Sequence, residues 1–320
     1  MKRAIVVIAM IISITGAEAQ TYPARPITMI VPFAAGGSTD VVGRIMAEHM
    51  RPLLGQPIII ENVAGAGGSI ALGRVARASP DGYTIDIGQW DTHVGNGVVY
   101  PLNYDLQKDF EPIGLVSINP QLIIGRKTLP ADDLKGLVSW LKANSGKVTF
   151  ANTSVAAQVA GVLLQQATGT TVQFIPYRGG GPAVQDLVAG HIDLAVQQAV
   201  AALPQVQAGT IKAFANLSPN RSPAMPGIPT TDEGGLSGLY VTGWFGLFAP
   251  KGTPKDVIVK LNDAMTKALT NPEVRSRFAE LGLDVAPAAQ QTLEGLARFH
   301  VAEVEKWWPI MKAAGIKAPN

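Results

Sequence analysis

Apolar residues fall along this chain in two alternating patterns. Residues 27–31, ITMIV, are a continuous apolar run and predict a buried strand. In 41–54, VVGRIMAEHMRPLL, apolar positions recur at Val42, Ile45, Met46, His49 and Leu53, which predicts a helix with one buried face. Strands at 58–63 and 83–88 follow, with a helix over 65–78 between them. This β-α-β-α-β order is that of a parallel sheet with helices on its faces. The rhythm returns with strands at 122–125, 148–151, 172–177, 192–196 and 211–217 and helices at 132–143, 156–168 and 182–189. A strand at 239–248 and helices at 254–270, 272–281 and 293–311 close the chain. Segments 89–121 and 218–238 read as irregular, and no internal repeat is evident. Two α/β blocks joined by two crossings predict two lobes, 20–121 with 240–320 and 122–239, around a cleft. Such folds place ligands at the carboxyl ends of parallel strands.

The join between the first strand and first helix reads PFAAGGSTD. There the helix leaves backbone N–H groups without intrahelical partners and carries partial positive charge. Gly36 and Gly37 permit close approach and unusual φ, and Ser38 and Thr39 add hydroxyls, so Phe33, Ala34, Ala35, Gly36, Gly37, Ser38, Thr39 and Asp40 form a candidate anion cradle. The loop contains no Lys or Arg and matches neither GxxxxGK[ST] nor GxGxxG. A weakly charged anion such as a carboxylate therefore fits better than a nucleotide phosphate. An ordinary Gly-rich βα turn with a capped helix is the other reading of the same residues.

Composition narrows the function class. The chain has 320 residues, 47% of them hydrophobic and 16% charged, enough for sizeable buried cores. Its 34 Gly and 23 Pro are spread without a linker-like period. Lys2 and Arg3, the apolar stretch 4–14 and Ala17-Glu18-Ala19 predict a signal peptide over 1–19, with Gln20 starting the exported protein. That stretch is short of the roughly 20 apolar residues of a membrane span. Without 1–19 the formal charge falls from +2 to +1, since Lys2, Arg3 and Glu18 leave (2 − 2 + 1). A near-neutral exported protein has no broad electrostatic reason to hold nucleic acid or an anionic membrane. Zero Cys excludes disulfides, thiolate metal sites, Cys nucleophiles and a lipid anchor at the cleavage point. A soluble, monomeric protein outside the cytoplasm is expected.

Enzyme signatures are weak. The four His (His49, His93, His191, His300) show no metal-binding spacing, so no metal or cofactor is expected. GGSIA at 67–71 misses the nucleophile elbow because Ala71 stands at its final Gly. His49 falls on a packing stripe, Asp132 and Asp133 on a solvated helix start, and Trp244, Trp307 and Trp308 in core positions. Trp90 fits either a cleft wall or the core.

The motifs carry a resemblance over nearly the whole exported chain. The segment from 22 to 85, then THVGN (92–96), YDLQKDFEPIGLV (104–116), IPYRGGGPAVQDLVAGHIDL (175–194), GWFGLFAPKGTPKDVIVKLN (243–262) and AAGIK (313–317), is similar to the Bug/TctC family. These are periplasmic solute-binding components of tripartite tricarboxylate transporters. The resemblance implies a two-lobed type II periplasmic-binding fold that closes on a small organic acid and delivers it to a membrane permease. It also implies that carboxylates are held mainly by backbone groups and ordered waters from loops of both lobes, PFAAGGSTD being the first. In the second lobe Asn152, Thr153 and Ser154 offer caps and donors at a helix start and are expected to close on the ligand with Tyr177 and Arg178, which fall in the family's Pro-Tyr-basic-Gly motif, Arg178 being equally able to pair with a protein acid. The resemblance puts Thr92 and His93, with Asp91 before them, in a loop expected to border the cleft, His93 touching ligand or holding structure.

Three departures from the family pattern stand out. Relatives carry a Gly-Ser-rich turn and a His where this chain has FANTSVAAQVAGVLL (150–164), shorter and with Gln158 near the His position. Gln197 stands where many relatives have an acid, and Asp91 is unusual. They imply a different ligand or a receptor that has lost tight binding. A sensor of the same fold coupled to a signalling partner is the alternative role.

Overall fold

The structure, a computed structural model, describes residues 22–177 and 179–318; the expected signal peptide and Arg178 lie outside the described residues. The elements, in order, are β1 (Ile27–Val31), α1 (Ser38–Leu54), β2 (Ile58–Asn62), α2 (Ser69–Val75), β3 (Thr84–Gln89), α3 (Asn96–Val99) and β4 (Phe110–Arg126). Next come α4 (Leu134–Ala143), β5 (Thr149–Asn152), α5 (Val155–Thr168), β6 (Gln173–Pro176), α6 (Gly180–Ala189), β7 (Leu194–Gln198), α7 (Ala199–Gln207) and β8 (Ile211–Asn216). The chain closes with β9 (Thr242–Pro250), α8 (Lys255–Thr270), α9 (Pro272–Glu280), β10 (Asp284–Val285) and α10 (Leu293–Ala313). None of the described helices is long and apolar enough to cross a membrane.

The strands run in the order β2-β1-β3-β9-β4-β7-β5-β6, with β8 and β10 also paired to β4. Pairs β1–β2, β1–β3, β5–β6 and β5–β7 are parallel, as the alternating blocks predict. The long strand β4 links the halves. Through Pro120 it pairs antiparallel with β9, and from Gln121 it pairs with β7. Gln121 thus marks the point where one half of the sheet hands over to the other.

This strand corrects the irregular reading of 89–121. Pro112 and Pro120 argue against a central strand, because Pro donates no ladder hydrogen bond. Here Pro112 falls at a register shift against β9, and Pro120 ends the β9 pairing just before the handover. The sequence reading also omitted α7, whose Pro204 interrupts the helical pattern, and ended β7 two residues early. Along α1 the buried stripe uses Met50 and Leu54, while Leu53 is exposed.

Three apolar cores support the halves. One packs α1, α8 and α9 against β1, β3 and β9 through Val42, Ile45, Leu261 and Phe278. A second packs α6 and α7 on Leu122 and Ile124 of β4. The third joins the halves and contains Trp90, Val94, Val155, Val159, Trp244 and Trp307. Trp90 and Trp307 meet edge to face at 5.3 Å between ring centroids, an arrangement the ring quadrupoles favour. Trp90 is therefore a core residue. Because Val155 belongs to this core, the start of α5 is pinned beside the chain that follows β3.

Candidate functional site

The first loop owes its shape to two glycines and one acid. Gly36 adopts φ +81, a left-handed conformation costly for residues with a Cβ. The Gly37 N–H donates to the Ala34 carbonyl at 3.3 Å, closing a tight turn. Asp40 then reaches back, and its carboxylate accepts from the Gly36 N–H at 2.9 Å, from Arg44 Nε at 2.9 Å and from Asn62 Nδ2 at 2.9 Å. Asn62 also donates to the Phe33 carbonyl at 3.0 Å, tying the loop to the end of β2. Burial alone would raise the Asp40 carboxyl, but the contacts with Arg44, Gly36 and Asn62 hold it below its ordinary value.

Asp40, in the first turn of α1, is thus a brace whose carboxylate is taken up by Gly36, Arg44 and Asn62. Gly37 caps that start with no side-chain hydrogen bond. The N–H groups of Ala35, Ser38 and Thr39 have no partner among the described residues. The cradle is narrower than the sequence suggests, since the Gly36 and Gly37 N–H groups serve the loop itself. Beneath it lies Gly68 at φ +89, where a Cβ would meet Thr92 Cγ2 at 2.7 Å and Pro32 Cβ at 2.9 Å. The glycine-rich segment before α2 therefore supports the loop from behind.

The start of α5 is built differently. Ser154 is its N-cap and accepts from the Ala157 N–H at 3.2 Å. The Ala156 N–H donates to Asp91 Oδ1 at 2.9 Å, although Asp91 is 65 positions earlier in the chain. Asp91 opens a single wide turn over Asp91–Gly95, directly after β3 and Trp90. It is 5% exposed. Burial pushes its carboxyl above the ordinary range, while the Ala156 N–H, the Ser154 hydroxyl and the Val155 N–H pull it back.

Both helix starts line one cavity of about 610 Å³, within the usual range for a small-molecule site. Of the residues singled out from sequence, Phe33, Ala34, Ala35, Gly36, Gly37, Ser38, Thr39, Asp91, Thr153, Ser154 and Gln197 line it. Sequence reading missed Gln89, Gln121 and Gln198, and the Gly179–Pro182 segment at the start of α6. The signal available for the glutamines is positional: Gln89 ends β3, Gln198 ends β7 and Gln121 stands at the handover in β4. Gln198 Nε2 donates to Gln89 Oε1 at 2.9 Å, and Gln197 Nε2 to Thr153 Oγ1 at 3.0 Å. Among the described lining residues Asp91 is the single charged side chain.

Other expected site residues lie elsewhere. His93 is fully buried and stacks on Phe248 at 4.0 Å between centroids. Burial, with His300 nearby, holds its imidazole well below the ordinary value, so it is a neutral core residue. His300 Nε2 lies 2.7 Å from the His93 carbonyl and Trp308 Nε1 donates to the Val94 carbonyl at 3.0 Å, tying α10 to the same turn. Thr92 is buried and its hydroxyl donates to the Gln89 carbonyl at 3.0 Å. Asn152 is buried at the end of β5, outside the cavity lining. The Tyr177 hydroxyl donates to Asp186 at 2.6 Å and is likewise outside the lining; burial and Asp186 push its pKa to about 12.

Comparison with known proteins gives this arrangement a context. Residues 42–316 match the family described as Tripartite tricarboxylate transporter family receptor. Protein BugT of Bordetella pertussis is 35% identical over 325 residues, covering 99% of each chain. The structure of the periplasmic binding protein BugD has a TM-score of 0.85 at 39% identity, covering 92% of this chain and 100% of BugD. MatC from Rhodopseudomonas palustris, solved with bound malate, gives 0.83 at 38% identity, covering 90% and 99%. A second R. palustris protein, solved with adipate, gives 0.86 at 29% identity, covering 92% and 99%. The fold is that of the periplasmic solute-binding proteins, and the matched family and structures are receptors without catalytic roles. The chain belongs to the tripartite tricarboxylate transporter receptor family, the Bug or TctC proteins, and is a solute-binding receptor, not an enzyme.

Proposed function

We propose that this protein captures a small organic acid in the periplasm and delivers it to a membrane permease of the tripartite tricarboxylate type. The observation that carries the reading is the start of α1. Three N–H groups without protein partners, at Ala35, Ser38 and Thr39, lie on a loop that lines a cavity of about 610 Å³. Converging N–H groups and the helix dipole suit a carboxylate. The malate and adipate in two structural relatives support the same ligand class.

In this reading residues 20–121 with 240–320 form one lobe, residues 122–239 form the other, and residues 1–19 are an export signal removed at Ala19. A carboxylate docks first at the start of α1, and closure brings up Thr153, Ser154 and Gln197 from the other lobe. Ligand binds the closed form more tightly and shifts the population toward it. The closed surface is what the permease recognises.

The test is a thermal-shift screen of the exported chain against C4–C6 mono- and dicarboxylates, with neutral sugars as controls. At a hundred times its Kd a ligand should stabilise the protein by about 2.7 kcal/mol. Hits should also compact the protein in small-angle scattering. Stabilisation by the sugars alone, or tight binding without compaction, contradicts the proposal.

A further inference from the structure

The cleft contains a carboxylate of its own. Asp91, just after β3, and Ala156, in the first turn of α5, are joined by a buried 2.9 Å hydrogen bond, and Ser154 serves the Ala157 N–H. The start of α5, which lines the same cavity as the cradle, is therefore already provided with an anionic partner. The core contact of Val155 with the turn after Trp90 fixes this pairing: a Cβ on Gly95 would lie 3.0 Å from Val155 Cγ1. At α6, another helix that begins at the cavity, the side-chain Oε1 of Gln197 lies against Gly180, and Pro182 brings no N–H to the first turn.

We infer that Asp91 sets the charge class of the ligand: in the cavity that the cradle also lines it holds the start of α5 with its own carboxylate, so the cleft selects acids whose remaining polar groups are neutral. This rests on the carboxylate-receptor reading above and makes it narrower. A second ligand carboxylate directed at α5 would meet Asp91 in a site with no described cationic side chain to offset the repulsion. An amide or hydroxyl meets the opposite situation. The Gln198–Gln89 hydrogen bond leaves the side-chain Nε2 of Gln89 and the side-chain Oε1 of Gln198 without partners among the described residues. Amides supply both donors and acceptors, which matches a neutral polar tail.

The experiment pairs succinate, glutarate and adipate with their monoamides in calorimetric titrations at pH 7.5, using protein refolded to remove carried-over ligand. The wild type should bind the best monoamide at least tenfold more tightly than its diacid. In Asp91→Asn, which keeps an acceptor for the Ala156 N–H, that ratio should fall at least tenfold, mostly through tighter diacid binding. Asp91→Ser, with a smaller side chain, should shift the ratio the same way, and thermal melts of both variants establish that they are folded. Equal wild-type affinity for diacid and monoamide, or an unchanged ratio in the folded variants, overturns the inference while leaving the carboxylate reading intact. Binding of neutral diamides alone, with neither acid nor monoamide bound, overturns both.

Discussion

The starts of α1 and α5 border the same cavity and each has an aspartate close by, yet the two acids do opposite things. Asp40 is four residues from Gly36 and turns its carboxylate inward to the loop, Arg44 and Asn62. The first N–H groups of α1 keep no protein partner. Asp91 comes from 65 positions away and puts its carboxylate on the start of α5. One acid shapes a cradle; the other fills the matching position. The difference teaches that a helix start at a cleft is not by itself a ligand site. What decides is where the nearest acid points, and that depends on tertiary placement as much as on local sequence.

Removing the brace should have the largest effect. Asp40→Ala leaves the Gly36 N–H and the Asn62 amide without their acceptor, and should lower stability by about 3 kcal/mol in urea unfolding. Carboxylate binding should fall with it. Unchanged stability would break the distinction between brace and cap.

At the α5 end the expected loss is smaller. Ser154→Ala removes one N-cap and should cost about 1 kcal/mol. Its affinity for a monocarboxylate should fall by less than that of Asp40→Ala, because the cradle is on the other helix. A loss of binding comparable to that of Asp40→Ala would mean that the two ends act as one site.

The pH dependence of the two acids should differ in sign. The Asp40 carboxyl is held below its ordinary 3.8, so the folded form favours its charge. Its contribution is present above 3.8 and is lost as pH falls through the lowered folded value. Asp91 is raised above 3.8, so burying its charge costs stability increasingly as pH rises from 3.8 toward the raised value. Relative to wild type, Asp40→Asn should lose stability and Asp91→Asn should gain it between pH 3 and 7, by less than about 1.4 kcal/mol per pH unit each. Urea midpoints across that range check the prediction, and slopes of the same sign contradict it.

The first loop was legible because its chemistry is local. An apolar run, two glycines, hydroxyl residues and a helical stripe give the strand, the turn and the helix after it in a single stretch of sequence; that α1 begins without a side-chain cap is visible only in the structure. The inward orientation of Asp40 was not legible, because its partner Asn62 is on a neighbouring strand 22 positions away. His93 reads as a loop residue at the cleft border, but the wide turn at Asp91–Gly95 drives its ring onto Phe248. The bond from Asp91 to Ala156 depends on how the two halves of the sheet meet, and residue spacing carries no trace of it. Only the end of β4, at 122–125, was read as a strand, because Pro112 and Pro120 look like strand breakers before it; the register shows one at a shift and the other at a handover. Gln89, Gln121 and Gln198 were overlooked because each ends or interrupts an apolar strand, a position that sequence patterns treat as a boundary.

The central claim is that a ligand carboxylate is held by backbone N–H groups at the start of α1. Its most direct test is calorimetry of the best monocarboxylate found in the screen, on wild type and on Gly36→Val. Nothing lies within 4 Å of a Cβ built at Gly36, so this substitution acts through the +81° φ that the turn requires and not through a clash. The account predicts that Gly36→Val stays folded and binds at least a hundredfold more weakly, about 2.7 kcal/mol. Folded Gly36→Val protein that binds within threefold of wild type would place the carboxylate elsewhere and contradict the account.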